Sequence, residues 1–285
     1  MHQLFEPKPG QENLFTFDKT PTYLFRLHVP RSKGYTNTLR VVAPGFLRRA
    51  ASHRDGLLCG QDLLQLPTEK AASRLKDHLL WHCNRRNKSP CNLMSWSSSL
   101  LFLLQYALYR HTKDFEPEPQ FPTIKIIMID TRDFLEKTFL HDLDALEWLG
   151  EELDPELREL YDRRKGQFYF GEYLTQGRLD IEGKCVEMTM QQLVDGGLFT
   201  VICPALNKPN NNWADWAITV CELRVGIKES HVVRQKQIRS ALFLARDCVG
   251  EKFLVPFALM LLGLQSRQSD NAAIANAFHS LFTGM

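Results

Sequence analysis

An arginine in an early apolar run, two serines ahead of a helix and a lone carboxylate among aromatics are the residues best suited to chemistry. Arg26 lies in Tyr23–Val29 (YLFRLHV), where alternation places Tyr23, Phe25, Leu27 and Val29 on one face and Arg26 and His28 on the other. A guanidinium fork there is either a solvated group or a phosphate clamp, because its geometry matches two phosphate oxygens. Ser95 and Ser97 share one strand face in Met94-Ser-Trp-Ser-Ser-Ser. A helix cap needs one hydroxyl, which Ser98 or Ser99 can supply, so the strand carries more hydroxyls than capping requires. Glu172 sits in Gln167–Gly177 (QFYFGEYLTQG), and as a strand this run puts Phe168, Phe170, Glu172 and Leu174 on one face. Either that face is solvated, or the carboxylate stands at the bottom of a cleft.

The elements that must hold these groups follow from the same patterns. Tyr23–Val29 is a first strand, and Leu39–Phe46 (LRVVAPGF) ends at a Pro-Gly turn signal. Residues 68–85 have helical spacing through Leu75, Leu79 and Leu80. Residues 92–98 form a short strand running into an apolar helix over 99–110. Ile124–Asp130 (IKIIMID) is a strand bounded by Pro122, and acidic helices follow over 133–165 with a break near Asp154-Pro155. Residues 1–205 are expected to form an α+β body and 206–285 a helical C-terminal appendage. That region carries apolar positions suited to packing against the body or a protein partner.

Composition narrows the class. With 44% hydrophobic and 24% charged residues the chain is suited to bury a core, and a net charge of +2 demands no polyanionic partner. Seven cysteines without a CxxC pair predict reduced thiols in a cytoplasmic or nuclear protein. No signal peptide is visible at the N-terminus, and no apolar stretch approaches the roughly 20 residues of a membrane span. Neither G-x-G-x-x-G nor G-x-x-x-x-G-K-[ST] occurs.

Taken in order, a strand arginine, Ser-x-Ser before a helix, a strand ending in Asp130 and a strand glutamate followed by glycine resemble one known arrangement. It is the ADP-ribosyltransferase fold of the arginine–serine–glutamate type, which includes cholera-like and pierisin-like toxins. The family's Leu-Tyr-Arg motif is matched by Leu24-Phe25-Arg26, and its following Gly-Phe by Gly45-Phe46. Ser-Thr-Ser is matched by Ser95-Trp96-Ser97, and the glutamate with glycine at five and an aliphatic residue at seven by Glu172, Gly177 and Leu179. The resemblance covers about residues 22–180, and the chain is also similar to uncharacterised fungal proteins. It implies a mixed β core of two small packed sheets with flanking helices. It also implies NAD as co-substrate, cleaved at the nicotinamide–ribose bond by an ADP-ribosyltransferase or NAD glycohydrolase.

By that resemblance Glu172, Ser95 and Arg26 are catalytic. Arg26 grips a phosphate, Ser95 orients Glu172 or the ribose, and Ser97 supports the strand edge. His28 can line the same cleft, and Phe46 or Tyr106 can wall the nicotinamide ring. Two departures stand out. Trp96 replaces a small hydroxyl residue, and Phe170 stands where arginine-modifying members carry a second acid. A protein-arginine acceptor is therefore disfavoured, leaving another protein group, a nucleic acid or water. A non-catalytic module of the same fold, binding a nucleotide, ADP-ribose or a protein, is the alternative; an unrelated α+β interaction protein is a third.

Other clusters carry blander readings. His78, His82, Cys83 and Cys91 fit no common zinc spacing, so no metal is expected. Arg85-Arg86-Asn-Lys88 and Arg48-Arg49 read as solvated charge. Glu187 and the acids of 142–152 read as helix surface.

Overall fold

A computed structural model describes residues 3–51, 60–81, 91–113, 119–207, 215–226, 235–264 and 276. The chain is α+β with two small sheets. The strands are β1 (Tyr23–His28), β2 (Tyr35–Thr36), β3 (Arg40–Val42), β4 (Leu93–Ser97), β5 (Lys125–Asp130), β6 (Leu140–His141), β7 (Glu172–Gln176), β8 (Arg178–Asp180) and β9 (Cys185–Thr189). One sheet has the order β6-β7-β4-β1-β5-β9 and the other β2-β3-β8. The pairs β1–β4, β4–β7, β6–β7, β2–β3 and β3–β8 are antiparallel.

By internal contacts the chain forms two compact units, residues 1–99 with 128–185 and residues 100–127 with 186–285. The first contains helices α1 (Pro44–Ala51), α2 (Thr68–Leu79), α4 (Asp142–Leu149) and α5 (Pro155–Arg164). Leu64, Leu75 and Ala71 pack with Leu93, Leu140, Ala145, Leu146 and Leu174 in one buried cluster, so α2 and α4 cover β4, β6 and β7. Each fully buried leucine contributes about 1.5–3 kcal/mol relative to exposure. Asp154 caps α5 by accepting the Leu157 N–H at 2.9 Å, with Pro155 at the first helical position.

The second unit contains α3 (Leu100–Lys113), α6 (Met190–Asp195), α7 (Asp215–Gly226), α8 (Gln235–Cys248) and α9 (Glu251–Gly263). Thr189 and Gln192 form a reciprocal capping box on α6. Gly196 follows that helix because a side chain there would strike Leu244 of α8. Tyr106 of α3 stacks at 5.8 Å on Phe102 and packs at 5.4 Å against Trp216 of α7. No helix among the described residues is long and apolar enough to cross a membrane.

Several elements differ from the sequence expectations. Pro44-Gly45 does not turn the chain but opens α1, since a proline's fixed φ and missing donor suit a first helical turn. The alternation in β1 does not make a wet face, because Leu24, of the same parity as Arg26, is as fully buried as Phe25. A short strand, β6, precedes the acidic helices and pairs Leu140 with Leu174. Strand β7 starts only at Glu172, so Phe168 and Phe170 lie ahead of it and share no strand face with it. Glu187 lies on β9, not on a helix, and meets Lys125 at 2.7 Å. His82, Cys83 and the 85–88 basic cluster fall outside the described residues, as do the side chains of Arg48 and Arg49.

Candidate active site

The pairing of β4 with β7 brings the serines to the glutamate. Ser97 stands directly across from Glu172 and Ser95 across from Leu174, so both hydroxyls share the face on which Glu172 projects. Gly171 makes the approach to β7 possible. Its φ is +68°, and a Cβ there would come within 1.9 Å of the Ser98 hydroxyl. Glycine alone fits both conditions. Ser97 closes the same corner, donating to the Phe170 carbonyl at 2.7 Å and accepting the Ser99 N–H at 3.0 Å. Ser97 is therefore a hinge pin of the turn ahead of Glu172.

Ser95 is the junction of the site. Its hydroxyl donates to Glu172 Oε1 at 2.6 Å, and its carbonyl accepts from Arg26 Nη1 at 2.7 Å. Arg26 and Glu172 are thus tied to one residue from different strands. Arg26 also reaches the Thr36 hydroxyl at 3.5 Å and stands 6.0 Å from the centre of the Trp96 ring. Trp96 itself is buried on the opposite strand face and donates its indole N–H to Thr175 at 3.0 Å. Among the described residues Arg26 has no carboxylate partner, and burial pushes its pKa down to about 10. An uncompensated guanidinium in that setting favours an anionic ligand.

Glu172 is better compensated. Arg164 of α5 meets its Oε2 at 2.8 Å and also pairs with Asp142, the first residue of α4. Burial by itself would raise the Glu172 pKa, but Arg164, then His78, then the Ser95 hydrogen bond hold it below its ordinary value. Asp142 takes the opposite course. Its side chain is fully buried, and burial outweighs Arg164 to push it up to about 6, with Glu172 adding repulsion. The acids of 142–152 were expected on a helix surface, and Asp142 corrects that expectation. The strand β6 anchors α4 over the sheet, so the helix's first carboxylate points inward.

Two histidines complete the surroundings. His78, in the last turn of α2, places Nε2 2.8 Å from Ser95 Oγ and Nδ1 3.1 Å from Cys91 Sγ. His141 places Nδ1 2.7 Å from Asp144 and bonds Tyr169 through Nε2. Asp144 in turn accepts from the Thr16 hydroxyl at 2.6 Å and backbone N–H at 2.7 Å. Burial, then Asp142, raises the Tyr169 pKa, so its phenol stays protonated.

Of the residues singled out by sequence, Ser95 and Glu172 meet directly and Ser97 supports them, whereas Arg26 reaches only the Ser95 backbone carbonyl and, with Phe25 opposite Ser97, falls on the Trp96 face of the sheet. His28 lies half-buried two residues further along β1. Phe46 sits beside Gly177, 3.6 Å from where a side chain at that glycine would begin, at the far end of β7 from Glu172. The five residue steps from Glu172 to Gly177 span about 16 Å of strand. Tyr106 belongs to the aromatic cluster of the second unit. Sequence reasoning weighed His78 only as a metal ligand, read Asp142 as helix surface and passed over Arg164. The one available signal was a histidine beside Leu75 and Leu79, both buried, on the inward edge of α2. Among the described residues no group of three or more His, Cys, Asp or Glu side chains is arranged to hold a metal ion.

Fold and site together define an α+β protein in which one serine links a half-buried arginine to an ionised glutamate. Residues 19–183, more than half the chain, match the family described as Domain of unknown function (DUF7587), and the chain belongs to that family. The matched span contains Arg26, His78, Ser95, Arg164 and Glu172. No curated protein and no solved structure matches the chain.

Proposed function

We propose that this protein has an ADP-ribosyltransferase-like fold and consumes NAD, cleaving its nicotinamide–ribose bond and passing ADP-ribose to an acceptor or to water. The observation that carries this reading is the Ser95 junction: an ionised carboxylate at 2.6 Å on its hydroxyl and a half-buried guanidinium, without a carboxylate partner among the described residues, at 2.7 Å on its carbonyl. The bond to C1′ breaks heterolytically, its electron pair leaving with the nicotinamide nitrogen, and the ribose develops oxocarbenium character as in glycoside cleavage. Glu172 supplies preorganised negative charge toward that cation, and Arg26 supplies the counter-charge for a phosphate. The acceptor's nucleophile then bonds to C1′ and loses its proton. With Phe170 two residues before Glu172, no second acid stands there to engage an arginine acceptor, so a different protein group, a nucleic acid or water is favoured.

Cys203 and Cys248 are buried free thiols, which supports a cytoplasmic or nuclear setting. One observation favours the alternative, a non-catalytic module that binds a nucleotide or ADP-ribose. Arg164 occupies Glu172 Oε2 and neutralises part of the charge that catalysis would use. Incubation of the purified protein with NAD, with nicotinamide release followed by chromatography, separates the two. Release abolished by Glu172→Gln is expected. NAD binding that requires Arg26 but gives no release supports the module, and absence of both binding and release refutes both readings.

A further inference from the structure

We infer that His78 is a positioning residue of this site, holding the Ser95 hydroxyl so that its proton points at Glu172. Ser95 Oγ lies within hydrogen-bond reach of two groups, Glu172 Oε1 at 2.6 Å and His78 Nε2 at 2.8 Å. A hydroxyl has one proton to donate. Glu172 is held in its charged form by Arg164, His78 and Ser95, and a carboxylate only accepts. The Ser95 proton therefore goes to Glu172, and the bond from His78 runs the other way, with Nε2–H donating to Ser95 Oγ. The other ring nitrogen is consistent with this direction. Nδ1 faces Cys91 Sγ at 3.1 Å, and the thiol can donate to it when the ring is neutral.

The result is a directed chain, His78 Nε2–H to Ser95 O–H to Glu172, in which each bond polarises the next. Its direction has a chemical consequence. A histidine that donates to a serine cannot also take that serine's proton, so Ser95 and His78 are not a nucleophile and base of the acyl-transfer kind. The cooperation serves Glu172. His78 fixes the Ser95 rotor, and the fixed rotor holds one carboxylate oxygen while Arg164 holds the other. The expected effect on turnover rests on the NAD reading above; the tautomer and its hydrogen bond do not.

Two measurements test the inference. In protein labelled with ¹⁵N at histidine, the ring shifts of His78 should show a proton on Nε2, and Ser95→Ala should shift that resonance. A neutral ring protonated on Nδ1 would overturn the inference, whether or not the protein consumes NAD. In nicotinamide release, His78→Gln retains a donor at the Nε2 position and should stay within about threefold of the parent. His78→Leu should lower kcat roughly ten- to hundredfold, the scale of a misplaced catalytic group, with KM for NAD within about twofold. Equal loss in both variants, with unchanged thermal unfolding, would assign His78 some other role. If the parent releases no nicotinamide, the NAD reading fails and the ring shifts alone decide the position of the proton.

Discussion

Replacing Asp142 by asparagine should stabilise the protein at neutral pH, and the gain should shrink as the pH falls. Asp142, Arg164 and Glu172 place two carboxylates around one guanidinium in the interior. Asp142 Oδ1 is buried without a hydrogen-bond partner among the described residues. Burial moves the Asp142 pKa from 3.8 to about 6. The difference of about two units corresponds to ~3 kcal/mol of destabilisation when the group is forced to ionise in the folded chain. The sign follows from proton uptake. Between pH 6 and 4 the folded protein holds a proton that the unfolded chain has released, so stability from this group rises as pH falls through about 6. Asparagine mimics the protonated acid at every pH. The variant should therefore exceed the parent by up to ~3 kcal/mol at pH 7.5 and by roughly half of that at pH 5. Urea unfolding of both proteins at matched ionic strength from pH 5 to 7.5 measures this difference, and titration of other groups cancels in the comparison. A difference that stays constant with pH, or an asparagine variant that is the weaker at pH 7.5, would refute the reasoning.

Gly171→Ala should lower stability by at least ~1–3 kcal/mol, because the residue sits at φ +68° and its methyl would meet the Ser98 hydroxyl; thermal unfolding gives the value. Arg26→Met should raise the unfolding midpoint, since it removes a half-buried guanidinium with no carboxylate partner among the described residues, while abolishing NAD binding in calorimetry. A variant that loses both stability and binding would show that Arg26 is chiefly a structural donor to the Ser95 carbonyl. Glu172→Gln should leave the fold intact and remove nicotinamide release, which circular dichroism and chromatography check together.

Sequence pattern placed β1, β4 and β5 within a residue or two, because β1 alternates and stops just before Pro30, β5 is a continuous apolar run between Pro122 and Asp130, and β4 runs directly into an apolar helix. The same patterns put Arg26, Ser95 and Glu172 on strands, and the serine-rich end of β4 against the start of α3. They misjudged β7, where a positive φ at Gly171 delays the strand to Glu172 itself. A glycine within an aromatic run does not announce that it is pressed against a serine from another strand.

What the sequence alone determined is which residues are anomalous: a charge or hydroxyl in an apolar run conflicts with its neighbours, and that conflict is local. Which groups compensate the anomaly was decided only by tertiary structure. Arg164 and Asp142 sit among acids and arginines that read as solvated helix, and His78 on a helix with charged neighbours. Their burial is set by what packs over them, Arg164 joining Asp142 22 residues away and His78 meeting Ser95 across 17. Burial in a low dielectric is what turns a surface-like residue into a determinant of another group's charge. That environment is a property of the assembled sheet and helices, and no residue carries it in the unfolded chain.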